Sequence, residues 1–249
     1  MTQNIYDHPE FFEGYSRLDR SVRGLGGAPE WPCLRSMLPD LSGRRVLDLG
    51  CGYGWFSRWA RGQGATRVFG IDLSENMLKR AAELTVDDGI EYRRDNLETI
   101  QLSNSDFDLV FSSLVLHYID NLARLFQCIH RALVVGGHFV FSTEHSIYTA
   151  PRRPYWSIDE TGTRSWPVDG YLSEGRRETE WLAKGVIKQH RSIGTIINLL
   201  ISAGFSIARL EEWGPTDEQI ASQPELSEHR ERPMFLLVAA QRKGLDFCT

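Results

Sequence analysis

Residues 46–56 read VLDLGCGYGWF: an apolar run carrying Asp48, then glycines at 50, 52 and 54, then Trp55 and Phe56. A β-rich run that ends in alternate glycines is a strand emptying into a tight turn. Glycine has no Cβ and tolerates positive φ, so backbone N–H groups there can approach a ligand closely. Outward from this turn, short β-rich runs alternate with amphipathic segments, the pattern of a parallel sheet covered by helices. Strands are expected at Arg44–Gly50, Arg67–Leu73, Ile90–Leu97, Phe107–Leu116 and His138–Thr143, with two closing strands at Ser206–Trp213 and Pro233–Gln241. The intervening helices are expected at Tyr53–Gly64 and from an N-cap at Ser74 to about Leu84. A third, capped by Asp120, carries Leu122, Leu125, Phe126, Ile129 and Leu133 on one face and ends at Gly136-Gly137. A fourth places Ile193, Ile196, Ile197, Leu200 and Ile201 together before Ala203-Gly204.

Two regions break the alternation. The first 40 residues are rich in aromatics (Tyr6, Phe11, Phe12, Tyr15, Trp31) and punctuated by Pro29, Pro32 and Pro39. The second, Ile147 to about Arg191, carries Tyr148, Tyr155, Trp156, Trp166, Tyr171 and Trp181 and reads as a cover over a binding site. A surface excursion or a dimer contact is its alternative reading.

The 249 residues are 41% hydrophobic and 24% charged, enough for a sizeable buried core. A net charge of −5 and no Lys/Arg-rich run argue against a nucleic-acid surface, which needs clustered cations. Cys33, Cys51, Cys128 and Cys248 form no C-x-x-C, so neither a metal site nor a disulfide framework is expected. No basic leader with an apolar core and no membrane-length apolar run is visible, so the expected location is cytoplasmic, without membrane insertion, as a monomer or homodimer.

The glycine turn alone is compatible with several nucleotide-like ligands, because dehydrogenases use a similar one. In the dinucleotide fingerprint G-x-G-x-x-G the third glycine would fall at Trp55; here the spacing is D-x-G-x-G-x-G, beginning at Asp48. A carboxylate facing this loop suits a cofactor with a cationic amino-acid end better than one with two phosphates. The alternative role for Asp48 is to hold the loop's own backbone. Asp72 closes the second strand, where a carboxylate can accept hydrogen bonds from both ribose hydroxyls. Asp95-Asn96-Leu97 closes the third, where a carboxylate and a following N–H can meet an adenine edge.

These motifs, with GIDLSENML (70–78), RDNL (94–97), FDLVFSSLVLHY (107–118) and GGHFVFS (136–142), resemble the class I S-adenosylmethionine-dependent methyltransferases, most closely the bacterial small-molecule enzymes. The resemblance implies an α/β fold: a doubly wound, seven-stranded, mostly parallel sheet of order 3-2-1-4-5-7-6 with an antiparallel last strand. It also implies a helical N-terminal lid and an insertion after strand 5. A single methyltransferase domain over 1–249 would divide into a lid (1–41), a cofactor-binding core (42–145), a cover (146–191) and closing elements (192–249). Gly50, Gly52 and Gly54 would then cradle the methionine moiety and Asp72 the ribose. Leu73 and Met77 would sandwich the adenine, Asp95, Asn96 and Leu97 would read its edge, and Ser112 and Leu114 would floor the site. Tyr6, Tyr15 and Arg20 would form the lid, with Tyr15 reaching the cofactor. Met77 as ordinary helix packing and Cys51 as a small filler are the structural alternatives.

The implied reaction is an in-line displacement on the methyl of S-adenosylmethionine, leaving S-adenosylhomocysteine, with a small molecule as acceptor and O-methylation favoured. Positioning supplies most of such a rate, and a base helps only when the acceptor must lose a proton. Ligands in a doubly wound sheet sit beyond the carboxyl ends of the strands. That rule points to His145 first as a base, His190 second, then His117, with Glu144 behind them; no metal is expected. A non-catalytic module holding S-adenosylmethionine or S-adenosylhomocysteine would keep the same glycines and Asp72. An NAD-dependent oxidoreductase is disfavoured by Trp55 and by the lack of a Tyr-x-x-x-Lys pair.

Overall fold

The period-2 runs form one mixed sheet, with apolar residues on both faces because helices cover both. The computed structural model of the chain describes residues 3–244, so Cys248 lies outside the described residues. The strands are β1 (Arg45–Leu49), β2 (Arg67–Asp72), β3 (Ile90–Arg94), β4 (Phe107–Ser113) and β5 (Leu133–Glu144). The insertion adds β6 (Ser157–Ile158), β7 (Arg164–Ser165), β8 (Gly175–Trp181) and β9 (Ala183–His190), and the sheet closes with β10 (Phe205–Trp213) and β11 (Phe235–Arg242). The seven-stranded sheet runs β10-β11-β5-β4-β1-β2-β3, the expected 3-2-1-4-5-7-6 order once the insertion hairpins are set aside. β1 to β5 pair in parallel, while β11 is antiparallel to both β5 and β10.

The helices are α1 (Pro9–Ser16), α2 (Asp19–Val22), α3 (Trp31–Ser36), α4 (Trp55–Gly62), α5 (Glu75–Glu83), α6 (Leu122–Ala132) and α7 (Ser146–Thr149), followed by α8 (Ile193–Ser202), α9 (Asp217–Ser222) and α10 (Glu228–Glu231). Alternation along the strands divides the core. Leu47, Leu49, Val110, Phe139 and Phe141 pack with Leu125, Phe126 and Ile129 of α6 and Ile196 and Leu200 of α8. Val46, Val68, Leu109, Phe111 and Val140 face the other way, onto Trp31 and Leu34 of α3 and Phe56 and Ala60 of α4.

Three local expectations are corrected. Asn121, not Asp120, caps α6, its side chain accepting from the Arg124 N–H at 3.1 Å. The helix stops at Ala132, and Leu133 opens β5; an apolar residue at that position satisfies either periodicity. Gly136 and Gly137 therefore lie inside β5, at an irregularity where pairing with β4 jumps from Phe107↔Leu133 to Leu109↔His138. Gly136 takes φ +80° there, so these glycines serve a bulge and do not end a helix. The insertion is two antiparallel hairpins, β6–β7 and β8–β9, outside the main sheet.

Candidate active site

The turn after β1 is built from left-handed backbone: Gly50, Gly52 and Gly54 have φ of +72°, +51° and +71°. It is tied to the next strand, with the Gly50 and Cys51 N–H groups donating to the Ile71 carbonyl at 2.7 and 3.0 Å. A Cβ on Gly50 would stand 2.1 Å from Val115 Cγ2, and one on Gly54 would stand 2.0 Å from the Tyr92 hydroxyl. A Cβ on Gly52 would meet nothing within 4 Å, so this glycine alone of the three borders open space. The Gly52 N–H donates to Asp72 Oδ2 and the Ser74 N–H to Asp72 Oδ1, both at 2.9 Å. Each carboxylate oxygen therefore has acceptor capacity left for a ribose hydroxyl. Burial raises the Asp72 pKa against the lowering effect of its backbone donors. These features fit S-adenosylmethionine: open backbone at Gly52 and a carboxylate with spare acceptor capacity at the end of β2.

Asp48 sits inside the fold, 2% exposed, where it accepts the Ser57 hydroxyl at 2.6 Å, and burial pushes its pKa up to about 7. That bond ties it to Ser57 of α4, just beyond the glycine turn. Cys51 is buried and its thiol is pushed well above the ordinary value by that burial, as a filler's would be. At the neighbouring strand end, the Asp95 N–H donates to the Asp72 carbonyl at 3.1 Å. The Asp95 carboxylate accepts from the Asn96 N–H at 2.8 Å and from Arg93 at 3.0 Å. Met77 and Leu97 are buried and Leu73 half-buried. Ser112 is buried with its hydroxyl on the Leu49 carbonyl at 2.9 Å, which spends it on the strand beneath the turn. Leu114 takes φ +57°, an unfavourable conformation for a branched side chain, and its N–H donates to the Ser142 carbonyl at 2.9 Å.

An aromatic seam roofs this end of the sheet. Tyr6 packs edge-on against Phe11, Tyr15 and Tyr118, with centroids 4.8, 5.1 and 5.9 Å apart, and its hydroxyl lies 3.3 Å from that of Tyr118. Phe11 packs on Trp181 of β8 at 5.4 Å, and the Gln3 side chain bonds the Gly185 carbonyl and the Ile187 N–H of β9. Burial raises the phenol pKa values of Tyr6 and Tyr15, and the charge of Asp72 raises both further. Both rings thus sit within electrostatic reach of Asp72. Arg20 is held by both oxygens of buried Glu30 at 3.2 Å.

Asp7 was invisible to sequence reasoning. Its carboxylate accepts from the Ser74 hydroxyl and from the N–H groups of Glu75 and Asn76 at 3.2 and 3.1 Å, capping α5 from 67 residues away. No local motif signals such a cap, because the two halves meet only in the fold.

The three histidines separate. His145 Nδ1 accepts the Ile147 N–H at 3.1 Å, so Nε2 carries the proton and donates to Glu212 at 2.9 Å. His190 Nε2 donates to the Tyr171 carbonyl at 2.9 Å, and its Nδ1 accepts from Thr149 at 2.8 Å. Both imidazoles are fully buried with both nitrogens engaged, one capping α7 and the other tying β9 to the chain before it. His117 is buried, and burial pushes its pKa down to about 4. Its Nδ1 accepts the Glu144 N–H at 3.4 Å, which puts the proton of the neutral ring on Nε2.

Glu144 Oε1 pairs with Lys188 at 2.5 Å, both groups nearly buried, and the Lys188 ammonium lies 5.0 Å from the Trp181 ring centroid. Lys188 escaped the sequence reading because it lies in β9, within the segment read only as a cover. A cavity of about 10 Å³ opens beside His117, Glu144, Thr149 and Arg191. A larger one, about 320 Å³, lies among Arg45, Arg67, Phe69 and Phe107 at the opposite ends of the strands, away from where such sheets bind ligands. Among the described residues no group of three or more His, Cys, Asp or Glu is placed to hold a metal ion. No helix of the described residues is long and apolar enough to cross a membrane.

A family model described as a methyltransferase domain matches residues 47–141, from β1 into β5. The chain is 58% identical to an S-adenosylmethionine-dependent methyltransferase from Mesorhizobium loti, over 88% of this chain and 100% of that one, with a TM-score of 0.85. It is 34% identical over 251 residues to an uncharacterized protein of Haemophilus influenzae, covering 96% of this chain and 97% of that one. A malonyl-[acyl-carrier protein] O-methyltransferase of Enterobacter lignolyticus is 37% identical over 128 residues, 51% of this chain and 50% of its own length. With likeness of this degree running along nearly the whole chain, and with the sheet order and glycine cradle described above, the protein belongs to the S-adenosylmethionine-dependent methyltransferases and uses that cofactor.

Proposed function

We propose that the enzyme methylates an oxygen of a small-molecule acceptor, held between the glycine cradle and the aromatic roof. The observation that carries this reading is the roof: Tyr6 and Tyr15 are half-buried within electrostatic reach of Asp72, Tyr118 packs on Tyr6, and Gln3 ties the N-terminal segment to β9 over the strand ends. A site closed on this scale suits a compact acceptor and excludes water from the reacting centre. The O-methyltransferase relative over the core half supports oxygen as the atom methylated.

Bound S-adenosylmethionine supplies a methyl made electrophilic by the sulfonium. The chain's part is to hold and orient. Gly52 leaves room for the methionine portion, Gly50 and Gly54 set the turn, and Asp72 takes the ribose hydroxyls. Leu73, Met77, Asp95, Asn96 and Leu97 form the adenine end, Tyr15 closes over the cofactor, and Leu114 lies under it. Asp48, bonded to Ser57, and Ser112, bonded to Leu49, support this cradle from within. His145 and His190 fix α7 and β9, while His117 lines the small cavity beside Glu144. The chain is read as one methyltransferase unit whose lid and cover meet at the seam. The free thiols of Cys33, Cys51 and Cys128 suit a reducing cytoplasm.

The test is transfer from methyl-labelled cofactor into fractionated extract of the source cells. Label in the small-molecule fraction is expected. Label confined to protein or nucleic acid, or no transfer at all, would overturn the proposal.

A further inference from the structure

The Glu144–Lys188 pair is incompletely satisfied on both sides. Glu144 Oε2 is buried and has no hydrogen-bond partner among the described residues. Lys188 has three donor positions, is 4% exposed, and among the described residues makes one hydrogen bond, to Glu144 Oε1; the Trp181 ring covers another side. An unmade hydrogen bond on a buried carboxylate costs more than on a neutral group, so a ligand group that completes the pair gains by doing so.

The pair sits at the end of β5 and on β9, under the seam where Trp181 meets Phe11 and Tyr118 meets Tyr6. The charge of Glu144 reaches Tyr118, and that of Asp72 reaches Tyr6, whose hydroxyl lies 3.3 Å from that of Tyr118, so the ion pair and the cofactor cradle adjoin the same two rings. The groups around Glu144 are Lys188 of β9, His117 and Tyr118 after β4, and Tyr148 of α7, with Arg191 at the adjoining cavity. The Arg191 guanidinium is committed to the carbonyls of Ile119 and Asp120 at 2.6 and 2.7 Å.

We infer that this ion pair is the acceptor-recognition site, and that the group it takes is an un-ionised hydroxyl, which donates to Glu144 Oε2 and accepts from Lys188. The inference rests on the methyl-transfer reading above and narrows it. A free carboxylate placed there would face Glu144 Oε2 with no proton between them, and an ammonium would face Lys188. The pair as a whole is neutral, so it offers either ion no net opposite charge to offset the cost of desolvating it in a buried site. A hydroxyl matches an unspent acceptor and an unspent donor at once. In the reaction its oxygen forms the bond to the methyl carbon as the carbon–sulfur bond breaks and the electron pair returns to sulfur. The hydroxyl proton passes to Glu144 Oε2. Lys188 keeps Glu144 oriented and ionised: burial works to raise the carboxyl's pKa, His117 and Lys188 work to lower it, and the net lies below the ordinary value.

The experiment supplies ¹³C-methyl-labelled S-adenosylmethionine and the small-molecule extract to the full-length enzyme. The carbon shift of the transferred methyl, with its stability in mild alkali, identifies its new partner atom. An alkali-stable methyl ether is expected. An ester that releases methanol, or an N-, S- or C-methyl product, would overturn the hydroxyl assignment while leaving small-molecule methyl transfer intact. Absence of any labelled product would overturn methyl transfer, and this inference with it. Glu144→Gln is then expected to lower kcat by about 10²- to 10⁴-fold and abolish the acidic limb of the kcat–pH profile, with S-adenosylhomocysteine affinity unchanged. Lys188→Met is expected to move that limb to higher pH. A Glu144→Gln enzyme with wild-type kcat, or with an unaltered acidic limb, would show the pair to be structural only.

Discussion

Replacing each cradle glycine with alanine separates ligand space from backbone strain. All three positions carry positive φ, so an L-residue at any of them pays about 1–2 kcal/mol for the left-handed conformation. At Gly50 and Gly54 the new methyl also collides with Val115 at 2.1 Å and Tyr92 at 2.0 Å, and such overpacking adds roughly 1–3 kcal/mol. At Gly52 it meets nothing within 4 Å. In a chain of this size about 1 kcal/mol moves the melting temperature by roughly 2–4 °C, so Gly52→Ala should melt roughly 2–8 °C below wild type. Gly50→Ala and Gly54→Ala should melt lower still. The open space at Gly52 is assigned to the cofactor, so its alanine variant, though folded, should lose at least tenfold in S-adenosylhomocysteine affinity, about 1.4 kcal/mol. Thermal melts with and without ligand, followed by calorimetry on the folded variants, read both quantities. A Gly52→Ala protein that binds as well as wild type would refute the reasoning, as would equal destabilisation at all three positions.

Three further outcomes follow from polar side chains tied into the fold. Asp48 has its folded pKa raised from 3.8 to about 7, so its contribution to stability is present below the unfolded value and is lost as pH rises through about 7. Asp48→Asn should therefore gain stability relative to wild type between about pH 4 and 7, by at most about 4 kcal/mol, and parallel denaturant melts at pH 5 and 8 would expose the opposite trend. Asp7→Ala removes the cap that joins the N-terminal segment to α5; about 1 kcal/mol of stability should go, and amide exchange at Glu75 and Asn76 should quicken, whereas unchanged exchange would deny the capping role. His145→Gln should cost about 1–2 kcal/mol through the lost α7 cap while leaving the shape of the kcat–pH profile unaltered, and a changed profile would return His145 to the chemistry.

The sheet was legible because its strands are short apolar runs bounded by turn residues, and because the D-x-G-x-G-x-G turn has few structural explanations besides a ligand. Leu133 was misassigned since an apolar residue after a helical run fits either period, and the pairing that claims it for β5 lies with Phe107, distant in sequence. The β8–β9 hairpin has the alternating exposure of a two-stranded ribbon, a signal that GRRETEW carries only weakly without apolar residues to mark one face. Asp72 could be located from its place at a strand end, since an unpaired carboxylate is costly in a core. The histidines could not be ranked. Whether an imidazole is free depends on the Ile147 N–H, Thr149 and the Tyr171 carbonyl, which only the folded chain brings to it. Lys188 and Glu144 are likewise 44 residues apart, and their pairing is a property of the insertion folding back over β5.

Isothermal titration of the full-length protein with S-adenosylhomocysteine bears most directly on the cradle formed by Gly52 and Asp72. One site per chain, weakened at least tenfold by Asp72→Ala in a protein that remains folded, is the result expected. A flat titration at millimolar ligand, or an Asp72→Ala protein that binds as tightly as wild type, would contradict it.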